Sequence, residues 1–272
     1  MYDKVQAERL LTPDFAGKVA LVTGGGRGLG EAICRRLGAG GAAIAVTDVD
    51  LDVAEAVAAA LREAGGPARA YRLDVADWDS ARATVAAVEA DLGPIDVLVC
   101  NAGVSRSIDF LEIDEAEWDR VLDVNLKGLF ICLRTVLPGM VERERGRVVN
   151  ISSISAKAAY PRFAHYTASK FGGLGLVQTV AAEVARYGIT VNSVLPGVMD
   201  TPLQRRLVEE MVAAGGEFES VEKAEAWFAE MLPLGSPQPV EDVAEMVAFL
   251  ASDHGRHMTA ASYHVDGGIT PR

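Results

Sequence analysis

The chain has 272 residues, 26 Lys and Arg against 38 Asp and Glu, and a formal net charge of −12 at pH 7. Half the residues are hydrophobic and 24% are charged, the proportions of a folded globular chain rather than a disordered or fibrous one. The acidic balance argues against nucleic acid and anionic membranes as partners; three cysteines (Cys34, Cys100, Cys132) leave no paired disulfide framework; and the start, MYDKVQAERLLTPDF, has no secretory plan, which predicts a cytoplasmic protein.

Residues 1–16 form an expected N-terminal arm, and 17–272 one domain. KVALVT (18–23) reads as a buried strand, 29–40 as a helix and AAIAVTD (42–48) as a second strand. A helix follows over 50–64, with Leu51, Ala54, Val57, Ala58 and Leu61 on one face and Gly65-Gly66-Pro67 as its stop. Further strands are expected at 68–74, 95–100, 146–152, 189–195 and 261–266, and helices near 78–92, 115–142, 162–187 and 239–252. No stretch approaches the ~18 consecutive apolar residues of a membrane span. Seven strands alternating with helices predict an α/β fold: a doubly wound parallel sheet with helices on both faces, because each parallel crossover needs a helix. Residues 202–235 break the rhythm as an acidic insert of net charge −4, expected to act as a substrate lid. Its apolar residues, Leu203, Leu207, Met211, Val212, Phe218, Trp227, Phe228, Met231 and Leu232, recur at helical spacing and are expected to line a pocket or to pack the insert onto the body.

Thr23-Gly24-Gly25-Gly26-Arg27-Gly28-Leu29-Gly30 joins the first strand to the first helix. Glycines there permit a tight turn and bring the backbone up to a pyrophosphate, which the helix N-terminus favours. The usual dinucleotide fingerprint is G-x-G-x-x-G; here the spacing is G-x-x-x-G-x-G. Asp48 ends the second strand 18 residues after Gly30, where a carboxylate accepts hydrogen bonds from ribose hydroxyls and repels a 2′-phosphate. A helix N-cap is the other role open to Asp48. Arg27 pulls the other way, since a guanidinium in the loop suits a 2′-phosphate. Asp48 is weighted above Arg27, so NAD(H) is expected, with NADP(H) as the alternative.

Tyr166 and Lys170 are four apart in YTASK, one turn apart on one helix face. Ser152-Ser153 ends the fifth strand at the carboxyl edge, where α/β sheets place ligands. Asn125 lies upstream in a long helix. His165 neighbours Tyr166 but points about 100° away on a helix. His254 and His257 have no cysteine or carboxylate cluster at ligand spacing, so no metal site is predicted.

Taken in order, these motifs resemble the short-chain dehydrogenase/reductase family, over about residues 16–268: Thr23-Gly24-x-x-x-Gly28-x-Gly30, Leu73-Asp74-Val75, Asn101-Ala102-Gly103, Asn125, Ser153, Tyr166-x-x-x-Lys170, Pro196-Gly197 and Val265-Asp266-Gly267-Gly268. The resemblance selects Ser153, 13 residues before Tyr166, over Ser152. It implies Tyr166 as general acid/base on the substrate oxygen. Lys170 would hold the nicotinamide ribose and lower the tyrosine pKa. Ser153 would orient the oxygen, and Asn125 would hold a water linking Lys170 to solvent. It implies a cofactor site built from Gly24, Arg27, Gly28, Leu29 and Gly30, with Asp48 at the ribose and Asp74 and Val75 at adenine. Asn101, Ala102 and Gly103 would line the adenosine side, and Pro196, Gly197, Met199 and Thr201 would hold the nicotinamide amide. Met199 departs mildly from the branched aliphatic usual there.

The expected activity is NAD(H)-dependent interconversion of a secondary alcohol and a ketone, on a free, largely uncharged small molecule. The rivals are an NADPH-dependent 3-oxoacyl-thioester reductase and a non-catalytic dinucleotide-binding protein. The resemblance also implies a homotetramer, with Leu129, Phe130, Leu133, Leu174, Val177 and Val180 as candidate apolar surface, some of which must face the chain's own sheet.

Overall fold

The computed structural model describes residues 13–215 and 218–270, so most of the expected N-terminal arm lies outside the described residues. The seven strands are β1 (Val19–Thr23), β2 (Ala43–Asp48), β3 (Ala68–Arg72), β4 (Ile95–Cys100), β5 (Gly146–Ile151), β6 (Ile189–Pro196) and β7 (Ser262–Val265). They form one sheet in the order β3-β2-β1-β4-β5-β6-β7, and every pairing is parallel. Winding reverses between β1 and β4, which opens a crevice beyond their carboxyl ends. That is the fold class expected from the alternating pattern.

Alternation within the strands builds two cores. Ala20 and Val22 of β1 face one layer, with α1 (Gly28–Ala39), α2 (Leu51–Glu63) and α9 (Val240–Ala251). Val19 and Leu21 face the other, with α3 (Trp78–Asp91), α5 (Gly128–Glu142) and α6 (Ala164–Val184). Buried strand positions therefore read as near-continuous apolar runs, as doubly covered parallel strands must.

Asp50, not Asp48, caps α2: its carboxylate accepts the Asp52 N–H. The expected helix over 115–142 is divided into α4 (Glu115–Leu122), a π-helical turn (Asp123–Lys127) and α5. The turn ends at Gly128, which is pressed against Val75; a Cβ there would lie 2.8 Å from Val75 Cγ2. By length and a mean hydropathy of 1.4 over 18 residues this segment would pass for a membrane span, although it holds no run of ~18 consecutive apolar residues. Leu129, Ile131, Leu133, Val136 and Met140 are instead buried against the sheet.

The insert folds as α7 (Pro202–Ala213), capped by Thr201, and α8 (Val221–Met231), capped by Ser220. Most of its apolar residues do not line a pocket. Phe218, Trp227 and Phe228 stack edge to face, and with Val208, Ala224, Met211 and Val212 they form a miniature core of the insert itself. The candidate oligomer surface also needs correction. Leu129, Leu133, Leu174 and Val177 are buried within the chain, because α5 and α6 turn those residues to their own sheet. Phe130 stays exposed, and with it Trp118 and Phe171.

Candidate active site

Two loop ends meet at the crevice, and Thr23 and Asn101 staple them. The Thr23 hydroxyl accepts the N–H groups of Asn101 (2.9 Å) and Ala102 (3.0 Å). The Asn101 amide donates to the carbonyls of Thr23 (2.9 Å) and Gly24 (3.0 Å). Asn101 thus fixes the phosphate loop with its side chain. Two glycines are obligatory here. Gly24 has φ +62°, and a Cβ on Gly30 would lie 2.0 Å from the Gly24 carbonyl oxygen. Arg27, the N-cap residue of α1, makes no side-chain cap, so the first N–H groups of the helix remain available to an anion.

Asp48 is buried at the end of β2, its carboxylate accepting from the N–H of Gly26 (3.3 Å) and of Asp50 (3.2 Å). The Arg27 guanidinium is drawn to Asp50, 3.3 Å away, in an exposed pair. Asp74 accepts the Ala76 N–H and donates its own N–H to Ser80. Across the crevice, the Gly197 N–H donates to Val265 O (3.0 Å), and a Cβ on Gly197 would strike Asp266 Cα at 2.8 Å. Met199 is held by a bridge to Gln238. These loops fit a dinucleotide: the uncapped N-terminus of α1 would receive its phosphates and Asp48 a ribose edge, with Thr201 and Met199 at the far end.

The structure brings Ser153, Tyr166 and Lys170 together. Burial holds the Tyr166 phenol above its ordinary value, and the neighbouring Ser153 hydroxyl acts the other way, lowering it. Lys170 Nζ lies 5.6 Å from the Tyr166 ring centre and donates to Ile151 O at 2.9 Å. Burial pulls its pKa down to about 8. Desolvation favours the neutral form of both groups. Behind Lys170 the buried Cys100 thiol faces Cys132, and that neighbour together with burial holds it well above its ordinary value.

Asn125 sits in the π turn with its side-chain amide fully used. Its Oδ1 accepts the Val104 N–H (2.8 Å), and its Nδ2 donates to Val104 O (2.8 Å) and Ser169 Oγ (3.1 Å). Asn125, Lys170, Cys100 and Cys132 line one small cavity. His165 is fully buried, with Nε2 3.3 Å from the Glu117 carboxylate, and burial lowers its pKa. Sequence reasoning missed the roles of Thr23 and Ser169. Their partners lie 78 and 44 residues away, so no local pattern marks them.

A charged Lys170 buried against one carbonyl costs stability. Its folded pKa of about 8 lies below its ordinary 10.5, so the native state binds fewer protons between those values and stability rises with pH there. Lys170→Met is expected to melt higher than the parent at pH 7. The gap should narrow as pH rises from 8 towards 10.5, as scanning calorimetry of the two proteins across that range would show; a variant melting lower at pH 7 would contradict it.

A twisted parallel sheet with a glycine-lined phosphate loop and a Ser–Tyr–Lys cluster at its carboxyl edge defines an oxidoreductase of the dinucleotide-binding class. The chain belongs to the short chain dehydrogenase family, whose family model matches residues 18–212. The rat (3R)-3-hydroxyacyl-CoA dehydrogenase is 39% identical over 260 residues, covering 92% of this chain and 95% of that protein. A Staphylococcus aureus 3-oxoacyl-[acyl-carrier-protein] reductase is 36% identical over 253 residues, covering 93% and 98%. The structure of an actinorhodin polyketide ketoreductase variant with NADPH superposes with a TM-score of 0.90 at 36% identity, covering 94% and 98%.

Proposed function

We propose that this enzyme interconverts a secondary alcohol and a ketone with NAD(H), using Tyr166 as general acid and base. The observation that carries this is the Ser153–Tyr166 hydroxyl pair beside Lys170 at the carboxyl edge of the sheet. The nicotinamide supplies or accepts the hydride at the carbinol carbon. Ser153 and Tyr166 hold the substrate oxygen, and Tyr166 passes its proton to that oxygen in reduction and takes it back in oxidation. Lys170 holds the ribose and steadies the phenolate. Asn125 shapes the turn that presents Lys170 to its cavity and so to a water path. The buried Asp48 carboxylate supports NAD(H), and the engagement of Arg27 by Asp50 weakens the case for a 2′-phosphate.

A free, largely uncharged alcohol or ketone fits the acidic lid best, since an acidic carrier protein needs a basic rim. The names of the two relatives favour a second reading, a 3-hydroxyacyl thioester. Measuring kcat/KM with free cyclic and linear ketones beside 3-oxoacyl chains on coenzyme A and on a carrier protein decides between them. A clear preference for a thioester overturns the first. Three free cysteines, all buried, fit a reducing, cytoplasmic setting.

A homotetramer is also proposed. Phe130 and Phe171, 43% and 47% exposed, replace the buried residues as the apolar contact surface on α5 and α6. Sedimentation at micromolar concentration should show four chains together, and Phe171→Glu should dissociate them. A 28.8 kDa species from the parent protein would refute this.

A further inference from the structure

We infer that Glu210 and Arg206 of α7 form a two-point latch that holds the lid helix closed over the cofactor crevice, making them positioning residues for nucleotide retention. This rests on the proposed nicotinamide site, but the latch itself is built from contacts within the chain.

The wall opposite the lid is the irregular segment after β4. It buries Ser105 and Ser107, 1% and 6% exposed. Buried backbone groups outside regular structure need partners. The lid helix supplies two, of opposite sign, from one face. The Glu210 carboxylate accepts the Ser107 N–H at 3.0 Å, and the Arg206 guanidinium donates to Ser105 O at 3.2 Å. The two side chains are one turn apart and lie 3.7 Å from each other. Arg120 of α4 adds a second positive charge near Glu210.

The wall is stiffened from behind. Arg162, held at φ +71°, donates to Ser107 Oγ (3.0 Å) and to the Asp109 carboxylate (2.8 Å). Its carbonyl accepts the Ile108 N–H at 3.1 Å. Three segments around the catalytic tyrosine are therefore tied by one polar chain: the lid, the segment after β4 and the loop after Ser153. The base of the lid lies on the phosphate loop, where a Cβ on Gly28 would come within 3.5 Å of Pro202 Cδ. From that base to Glu210, α7 runs between the phosphate loop and the segment after β4, so release of a nucleotide bound there is coupled to the yielding of the latch.

The test uses the full-length protein and two variants. Glu210→Ala removes the acceptor; Glu210→Gln keeps a carbonyl acceptor without the charge. Without nucleotide, amide exchange over 104–109 and 202–213 should quicken about tenfold or more in Glu210→Ala and less in Glu210→Gln, as loss of a hydrogen bond to a charged group implies. With NADH, the dissociation rate and Kd should rise by a similar factor while kcat does not fall. A merely structural residue would lower kcat and melting temperature together. Unchanged exchange in Glu210→Ala overturns the latch, and so does unchanged NADH dissociation in a protein that binds NADH. Failure of the parent protein to bind NADH would refute the proposed function, and the exchange rates would still decide the latch.

Discussion

Tyr166→Phe is expected to lower turnover by at least ~10²-fold, the scale of lost general acid–base catalysis. The substitution keeps the ring against Phe163 and beneath Lys170, so packing is preserved. It removes only the hydroxyl that Ser153 holds. NADH affinity, measured by fluorescence titration, should stay within a few-fold of the parent. Burial sets the direction of the pH profile as well. A phenol held above its ordinary value is protonated at neutral pH, ready to act as the acid in ketone reduction. Alcohol oxidation needs that proton removed, so its rate should climb towards alkaline pH, while reduction should fall only as pH nears the range in which a raised phenol ionises. Near-parental turnover in Tyr166→Phe would remove the tyrosine from the mechanism.

Asp48→Ser should shift the ratio of kcat/KM for NAD over NADP towards NADP by roughly 10- to 100-fold, the worth of hydrogen bonds to a charged group together with relief of repulsion. Asp48 is the carboxylate buried at the end of β2, and it shapes the loop by accepting the Gly26 N–H. Asp50→Ala provides the complementary arm. It frees the Arg27 guanidinium from its 3.3 Å partner and should improve NADP use on its own. A parent enzyme with higher kcat/KM for NADP would show that Arg27 exchanges Asp50 for the 2′-phosphate, and would overturn the assignment of Asp48.

The sheet was legible because doubly buried parallel strands leave compact apolar runs between helical periods, a rule that β1, β2 and β4 follow most closely, while β5 and β6 interrupt it with buried Asn150, Thr190, Asn192 and Ser193. The π turn was not, since DVNLK sits inside a continuous helical pattern and only tertiary bonds from Asn125 to Val104 distinguish it. The site residues announced themselves through spacing: Tyr166 and Lys170 by a helical turn, the glycines by the strand–helix junction. What the spacing withheld was electrostatic. Lys170 reads from spacing as a charge beside the tyrosine, while burial, the largest influence on both groups, is invisible in the spacing. Which apolar residues form an oligomer surface stayed ambiguous for a related reason. Apolar residues on α5 and α6 serve the chain's own core and its exposed face alike, and composition does not say which side a residue takes. The insert shows the same ambiguity in miniature, its aromatic residues spent on one another rather than on a ligand.

The most direct test of hydride transfer through Tyr166 is isotopic. The enzyme would be incubated with NADH deuterated at the transferable C4 position and with the ketone and 3-oxoacyl panel, and the products analysed by mass spectrometry. Expected is one deuterium at the carbinol carbon of a turned-over substrate, with transfer reduced by at least ~10²-fold in Tyr166→Phe. Tight NADH binding with no deuterium passed to any carbonyl compound would contradict it and leave a dinucleotide-binding protein without catalysis.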